Sequence, residues 1–244
     1  MNNNKSNLVI DIGNTRTKIY LFNKKEIINK FIFFNNEENN IQKILKELFF
    51  SKAIISSTKE LPSFYKQISF LELDNNTNIP IQLNYKTPNT LGSDRIALAI
   101  GASLLFPNKN CLIIGTGTCI TIDIVDNKAI YLGGAISPGL TMRLQSLNTF
   151  TDQLPLIVPS REKQEFSLMG KTTEESIESG VFNGTFAEIE GTIARYKEIY
   201  QDLTVVLTGG DQKIFEKNLK SDIFAISNLQ AIGLNRILNY NAEI

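Results

Sequence analysis

Histidine is absent from this sequence of 244 residues, and cysteine occurs only twice, as Cys111 and Cys119. Without histidine, a serine–histidine–aspartate triad is excluded, and any general base must be a carboxylate, a lysine, a tyrosine or a cysteine. Two cysteines are too few and wrongly spaced for a zinc centre or a disulfide framework. Because no histidine can activate Cys119, we interpret this residue as structural and half-buried rather than as a nucleophile.

The sequence also has no net charge, because its 25 lysines and arginines balance its 25 aspartates and glutamates. This balance, with no cluster of basic residues, argues against nucleic acid or an anionic membrane surface as the main partner. The longest apolar run, Ile96–Phe106, is too short to span a bilayer. The N-terminal MNNNKSN lacks the apolar core of a signal peptide, so we expect a cytoplasmic protein.

The stretch Leu8–Phe22 is the one around which the rest of the sequence is organised. An apolar run carries one carboxylate, Asp11, and a second strand-like run carries Lys18. Between them, Gly13–Asn14 is typical of a tight hairpin turn, because both residues tolerate positive φ. Turn N–H groups, a threonine hydroxyl and a lysine can together bind an anion. We interpret the stretch as a phosphate-binding hairpin with a magnesium-facing Asp11; an ordinary hairpin with a solvated acid is the open alternative.

A second candidate segment, Tyr85–Arg95, leads into an apolar helix. Gly92 permits a turn, and Ser93 or Asp94 can cap the helix, with Arg95 solvated on its first turn. Against this purely structural interpretation, an arginine in a first helical turn opposes the helix dipole and favours an anionic partner. A base beside a carboxylate-binding arginine is therefore the functional alternative.

A weak internal repeat follows in Cys111–Asp123. Laid over the opening hairpin, it places Gly115 on Asp11, Gly117 on Gly13, Thr118 on Asn14 and Thr121 on Thr17. The remaining pattern alternates helices and strands, with a capping box at Thr172–Glu175 before a long helix and with Asn-rich patches, such as Asn35–Asn36, that we interpret as loops. The repeat indicates two similar halves that face each other across a cleft.

Four blocks, in this order, resemble the type III pantothenate kinases: DIGNTRTK (Asp11–Lys18), YKTPNTLGSDR (Tyr85–Arg95), GTCITID (Gly117–Asp123) and GGAISPG (Gly133–Gly139). The resemblance spans nearly the whole chain. It implies an α/β fold of two duplicated ribonuclease H-like (actin-like ATPase) halves around a central cleft, at residues 1–106 and 107–244. The activity that it implies is ATP-dependent phosphorylation of pantothenate to 4'-phosphopantothenate, the first step of coenzyme A biosynthesis.

The resemblance also assigns roles to residues. Asp11 would hold Mg²⁺ through water, and Asp94 would accept the proton of the pantothenate hydroxyl. The residues for the ATP phosphates would be Gly13, Asn14, Thr15, Lys18 and Thr118. Those for pantothenate would be Tyr85, Gly92, Ser93, Asp94, Arg95 and Thr173, with Arg95 facing the substrate carboxylate. Since family members are homodimers with sites at the subunit interface, Thr173 would contact pantothenate bound to the partner.

One departure from the family concerns a monovalent cation. The family commonly has an aspartate, two residues before the second glycine turn, that binds K⁺ or NH₄⁺; this sequence has Gly115 there. The cation site is therefore in doubt. We expect Asp123 to be a poor substitute, because it shares a strand face with Thr121 whereas Gly115 lies on the other side of the turn.

Three further interpretations remain open at this point. The protein could phosphorylate another small hydroxylated substrate, or it could be a catalytically weak nucleotide-binding homologue with a regulatory role. It could also be a structural module that binds no nucleotide. The presence of Asp11, Asp94 and Arg95 argues against a silent homologue, since such a protein need not keep them.

Overall fold

The computed structural model describes residues 6–74, 76–158 and 165–243. They form an α/β protein that divides into two compact units. Unit 1 holds the described residues up to Pro107, with Ala129–Tyr131 and the chain from Asn228 onward. Unit 2 holds Asn108–Lys128 and Leu132–Ser227.

The sheet of unit 1 has the strand order β3-β2-β1-β4-β5 in the described chain. Strand β1 pairs antiparallel with β2 and parallel with β4, so a hairpin is followed by a crossover that contains helix α1. Residues 8–10 of β1 are fully buried, which explains why this strand is a continuous apolar run rather than an alternating one. The strands are β1 (Ser6–Ile12), β2 (Arg16–Asn23), β3 (Glu26–Phe34), β4 (Lys52–Ser57) and β5 (Leu71–Glu72).

The helices of unit 1 are α1 (Glu38–Glu47), α2 (Ser93–Leu105) and α6 (Leu229–Glu243), with 3₁₀ turns at Ser63–Gln67 and Pro88–Thr90. Helices α2 and α6 approach closely because glycines lie at their contact. A Cβ on Gly233 would collide with the carbonyl oxygen of Ala97, and one on Gly101 would lie 2.5 Å from that of Leu229. The first residues of β9, Ile130 and Tyr131, pair in parallel with the short strand β6 (Gln82–Leu83).

In unit 2, neighbouring strands follow the order β11-β10-β7-β8-β9. Strand β7 is antiparallel to β8 and parallel to β10, which repeats the arrangement around β1. The strands are β7 (Asn110–Thr116), β8 (Cys119–Val125), β9 (Ile130–Pro138), β10 (Leu203–Gly209) and β11 (Phe224–Ala225). The helices are α3 (Leu140–Thr149), α4 (Thr173–Ile199) and α5 (Gln212–Asn218).

Helix α4 begins as the capping box predicts. The hydroxyl of Thr172 accepts a hydrogen bond from the Glu175 N–H at 3.1 Å, and the Glu175 carboxylate accepts one from the Lys171 N–H at 2.7 Å. The apolar face of α4 packs into the core of unit 2 through Ile177, Phe182 and others. Within the described residues, no helix has both the length and the apolar character that crossing a membrane requires.

The α/β class with two sheets is confirmed, and each sheet contains a hairpin next to a parallel strand. The compact units do not follow the expected halves throughout. The chain changes unit after Pro107, close to the expected division, but α6, which we expected in the second half, packs against α2 and β1 of unit 1. The division into duplicated halves at residue 106 remains a prediction about the repeat in the sequence.

Candidate active site

The β1–β2 hairpin brings the two charged residues of the first motif together. Asp11 lies directly opposite Lys18 in the strand register, so both side chains are on one face of the sheet. The Lys18 Nζ is 3.2 Å from Asp11 Oδ2. The predicted hairpin is therefore present, and the acid is not solvated, since only 6% of Asp11 is exposed.

The turn of this hairpin differs from the expected one. It has three residues, Gly13–Thr15, closed by the Gly13 N–H donating to the Arg16 carbonyl at 3.0 Å, and neither Gly13 nor Asn14 has a positive φ. Asn35, just after β3, holds the turn: its Nδ2 donates to the carbonyls of Gly13 and Asn14, each at 2.9 Å. The turn is thus held by the Asn35 amide and does not have the tight two-residue geometry that the sequence predicted. The sequence did not reveal this role of Asn35, because the residue lies in a patch interpreted as a loop.

Asp11 also receives a donor from far along the chain. The Nε2 of Gln230, on α6, donates to Asp11 Oδ1 at 2.8 Å. Nothing in the local sequence signalled this contact. Burial raises the pKa of Asp11, while Lys18 and Gln230 lower it and the nearby charge of Asp94 raises it further. The start of α2, which carries Asp94, lies near this position, because the Ser93 hydroxyl is 3.1 Å from that of Ser56, the residue of β4 that pairs with Asp11.

These carboxylates suit a magnesium ion that arrives with a nucleotide. The described part of the chain holds no group of three or more metal-binding side chains. Mg²⁺ needs no such cage, because it commonly takes one or two carboxylates, waters and substrate phosphates. Asp11 supplies a buried carboxylate for this purpose, with the partly exposed Lys18 on one oxygen and Gln230 on the other.

Asp94 lies in the first turn of α2 and is not the N-cap residue of this helix. The N-cap residue is Gly92, and no side-chain capping bond is made there by the described residues. Instead, Asp94 Oδ1 accepts from the Arg95 N–H at 2.9 Å, and the Ser93 hydroxyl lies 3.1 Å from the Ser56 hydroxyl of β4. The interpretation of Asp94 or Ser93 as a simple N-cap is therefore wrong.

Arg95 and Gly92 have further roles in this geometry. Arg95 is 6% exposed, so the alternative of a solvated arginine is also wrong; a guanidinium is rarely buried unless it is paired. A Cβ on Gly92 would collide with Oδ1 of Asp94. Glycine at this position therefore lets the carboxylate lie back over the start of the helix. Tyr85 is half-buried, with its ring 5.9 Å from that of Tyr131.

The predicted site residues of unit 2, Thr118 and Thr173, are both exposed. Thr118 is in the turn between β7 and β8, and its carbonyl accepts from the Gly139 N–H at 3.1 Å. A Cβ on Gly139 would collide with the carbonyls of Gly117 and Thr118, so the GGAISPG motif packs directly on this turn. Thr173 is the first residue of α4 and is exposed.

The sequence model of the type III pantothenate kinases matches residues 7–195. The chain belongs to this family. It is 45% identical to the type III pantothenate kinase of Christiangramia forsetii, over 96% of this chain and 98% of that one. Its fold is similar to that of a putative Baf family transcriptional activator from Campylobacter jejuni, with a TM-score of 0.65, 20% identity and coverage of 97% and 100% of the two chains. An activator of 2-hydroxyisocaproyl-CoA dehydratase from Clostridium difficile, with bound ADPNP, has a TM-score of 0.57, 14% identity and coverage of 98% and 96%. The fold is that of the actin-like ATPases.

The strand register of the second hairpin differs from the overlay that the sequence predicted. Gly115 lies opposite Thr121, just as Asp11 lies opposite Lys18. The expected overlay of Thr121 on Thr17 is therefore wrong by one residue, because the second turn is one residue shorter than the first. The second hairpin carries neither the acid nor the lysine of the first.

The same register locates Asp123. It lies opposite Ile113, on the strand face of Thr121 and therefore also of Gly115, but one pleat step farther from the turn. Asp123 is fully buried. Gly115 therefore lies on the same side as Asp123, and the expectation from the sequence that it lies on the other side of the turn is wrong. We still expect that Asp123 does not replace the missing ligand, because it is two residues farther along β8 than Thr121, the residue opposite Gly115.

Proposed function

We propose that this chain transfers the γ-phosphoryl group of ATP to the hydroxyl of pantothenate, with Asp94 as the base. Phosphorylation of pantothenate in coenzyme A biosynthesis is the reaction of the family to which the chain belongs. The observation that carries the residue assignment is that the Ser93 hydroxyl lies 3.1 Å from the hydroxyl of Ser56, which pairs with Asp11 in the strand register. Asp94 and Arg95 follow Ser93 directly, so the start of α2 lies beside Asp11.

The first hairpin would bind the nucleotide phosphates. The backbone of Gly13–Thr15 and the Lys18 ammonium would contact them, since the turn is fixed by Asn35 and the lysine is partly exposed. Asp11 would hold Mg²⁺ through water, and the ion would neutralise charge on the phosphates. Thr118 of unit 2 would contribute a further contact to ATP, as the family pattern implies.

Pantothenate would bind at the start of α2. Arg95 suits the substrate carboxylate because its planar guanidinium can bind both oxygens. Asp94 would accept the proton of the attacking hydroxyl, while Ser93, Gly92 and Tyr85 would shape the site. Phosphoryl transfer depends mainly on positioning and charge neutralisation, so a carboxylate base suffices and no histidine is needed.

A homodimer is part of the proposal. In it, Thr173 would contact pantothenate bound to the partner subunit. Leu168 and Met169, just before α4, support an interface near Thr173 because they are 80% and 77% exposed, and large exposed apolar side chains are typical of contact surfaces. Size-exclusion chromatography with light scattering would give the mass of the assembly.

A coupled assay of ADP release tests the activity. We expect release that depends on pantothenate and Mg²⁺, with other polyols inactive. Asp94→Asn provides the matched control, because it changes one carboxylate to an amide of the same shape. Protein that is folded by circular dichroism but releases no ADP with pantothenate would contradict the proposal.

A further inference from the structure

Lys18 and Asp11 are assigned to different ligands, yet they bind each other. The proposed function gives the lysine to the ATP phosphates and the aspartate to the metal, whereas here Lys18 Nζ lies 3.2 Å from Asp11 Oδ2. The ammonium donates to the carboxylate, as a metal-bound water would. A lysine that stays in this position would obstruct the water-mediated metal contact at Oδ2.

The two donors to Asp11 differ in their freedom to move. Gln230 projects from α6, whose glycine contacts fix it against α2, and donates to Oδ1 at 2.8 Å. The Lys18 side chain is 32% exposed, and its ammonium is carried on a flexible stem, so it can reach a ligand in solvent. One donor is thus fixed by the fold, and the other can exchange.

The surrounding charges identify Lys18 as the cation that pairs with Asp11. Asp94 adds negative charge near Asp11, so the carboxylate needs a cation whenever it is ionised. On the other side, Lys30 lies near enough to Lys18 for the lysine charge to lower the pKa of Lys30, after the larger effect of burial. Lys30 itself donates to the Asn228 side chain at 2.7 Å. Lys18 is therefore the cation directly paired with Asp11, and Lys30 is a nearby charge that does not replace it.

We infer that Lys18 is a placeholder cation: it occupies Asp11 Oδ2 in the nucleotide-free protein and moves to the phosphates when the metal–nucleotide complex binds. Gln230 keeps Oδ1 oriented in both states. The inference rests on the proposed function for the identity of the nucleotide. Its consequence is that the protein alone binds a divalent ion weakly, so that the ion enters together with the nucleotide.

Binding of Mn²⁺ to the nucleotide-free protein, measured by electron paramagnetic resonance, tests this inference without any catalytic step. Lys18→Met removes the cation and keeps the stem, and we expect Mn²⁺ affinity to rise about tenfold or more, because one opposite charge at this range changes carboxylate protonation by about one to three log units. Lys18→Arg and Lys30→Met are the matched controls, and both should bind Mn²⁺ as weakly as the wild type. The double variant Asp11→Asn/Lys18→Met should lose the gain.

Lys18→Gln guards against a folding defect, since its neutral amide can still donate to Asp11. Because its charge is gone, this variant should also bind Mn²⁺ more tightly than the wild type. Mn²⁺ should also raise the melting temperatures of Lys18→Met and Lys18→Gln but not those of Lys18→Arg and the wild type. Equal Mn²⁺ affinity in the wild type and the folded Lys18 variant, or an equal gain in Lys30→Met, would overturn the inference. Failure of pantothenate phosphorylation would not affect this readout, so the two proposals fail separately.

Discussion

Replacing either member of the Asp11–Lys18 pair should change stability in opposite directions. Asp11 is almost fully buried, and burial is the largest influence on its pKa, which is raised despite the ion pair. The cost of desolvating an ion is several kcal/mol, and the attraction of a pair at this distance is about 4 kcal/mol in a protein environment. Because the raised pKa indicates that desolvation wins, Asp11→Asn should stabilise the protein by about 1 kcal/mol at neutral pH.

Lys18→Met should destabilise it, because a buried carboxylate then loses its cation. Removing one partner of a fully buried pair costs about 3–5 kcal/mol, and the one-third exposure of Lys18 reduces this to about 1–3 kcal/mol.

The stability effects of Asp11→Asn and Lys18→Met both require that Asp11 is ionised in the wild type. A carboxyl whose pKa is raised in the folded state stabilises the fold below its unfolded pKa and loses that contribution as pH rises through the folded value. Both differences from the wild type should therefore shrink as the pH falls and Asp11 becomes protonated.

Urea unfolding of the wild type and both variants, from neutral to acid pH, measures these effects. Asp74→Asn is a control of opposite sign, since a hydrogen bond from the Thr77 hydroxyl lowers the pKa of this exposed carboxyl; its stabilising contribution is lost as the pH falls. The reasoning is refuted if Asp11→Asn destabilises the protein at neutral pH, or if the effect of Lys18→Met is the same at acid pH.

The other predictions concern activity. Asp94→Asn should lower kcat by about two to four orders of magnitude, with pantothenate binding largely retained. Arg95→Lys should mainly raise the KM for pantothenate. Steady-state kinetics together with binding measurements will test both variants. Gly92→Ala should lower kcat about tenfold to a hundredfold with the KM for ATP unchanged, because the new methyl displaces the Asp94 carboxylate; an unchanged kcat would contradict this. Activity should depend only slightly on K⁺ or NH₄⁺ when either ion is titrated against choline at constant ionic strength. Gly115→Asp should introduce a dependence on these ions. Saturable activation of the wild type by a low concentration of potassium would show that a cation site survives.

Features set by neighbouring residues could be predicted from the sequence. The pairing of β1 with β2, though not the geometry of its turn, and the capping hydroxyl of Thr172 at α4 agree with the prediction. Each depends on periodicity or on capping chemistry within a few residues, which a single sequence displays directly. The family blocks added the candidate residues, and the structure brings Asp11, Lys18 and Asp94 together.

The supporting amides could not be predicted in this way. Asn35 and Gln230 are neutral side chains without a spacing pattern, and each acts across a tertiary contact, Gln230 over 219 positions in the sequence. The placement of α6 in unit 1 is similar, since it depends on the complementary approach of Gly101 and Gly233 to backbone on the other helix. Such contacts depend on which surfaces meet, and the periodicity of one element does not contain this information.

The second hairpin illustrates how one residue changes a functional interpretation. Aligning the two motifs by their glycines placed Thr121 on Thr17, but strand pairing places it on Lys18, because the second turn is shorter. Since side chains alternate between the faces of a strand, a shift of one residue moves every later side chain to the other face. The Asp11–Lys18 pair is thus matched by Gly115 and Thr121, which have no charge. The second hairpin can offer only neutral hydrogen bonds at this position, so our proposal assigns the charged contacts to metal and phosphates to the first hairpin.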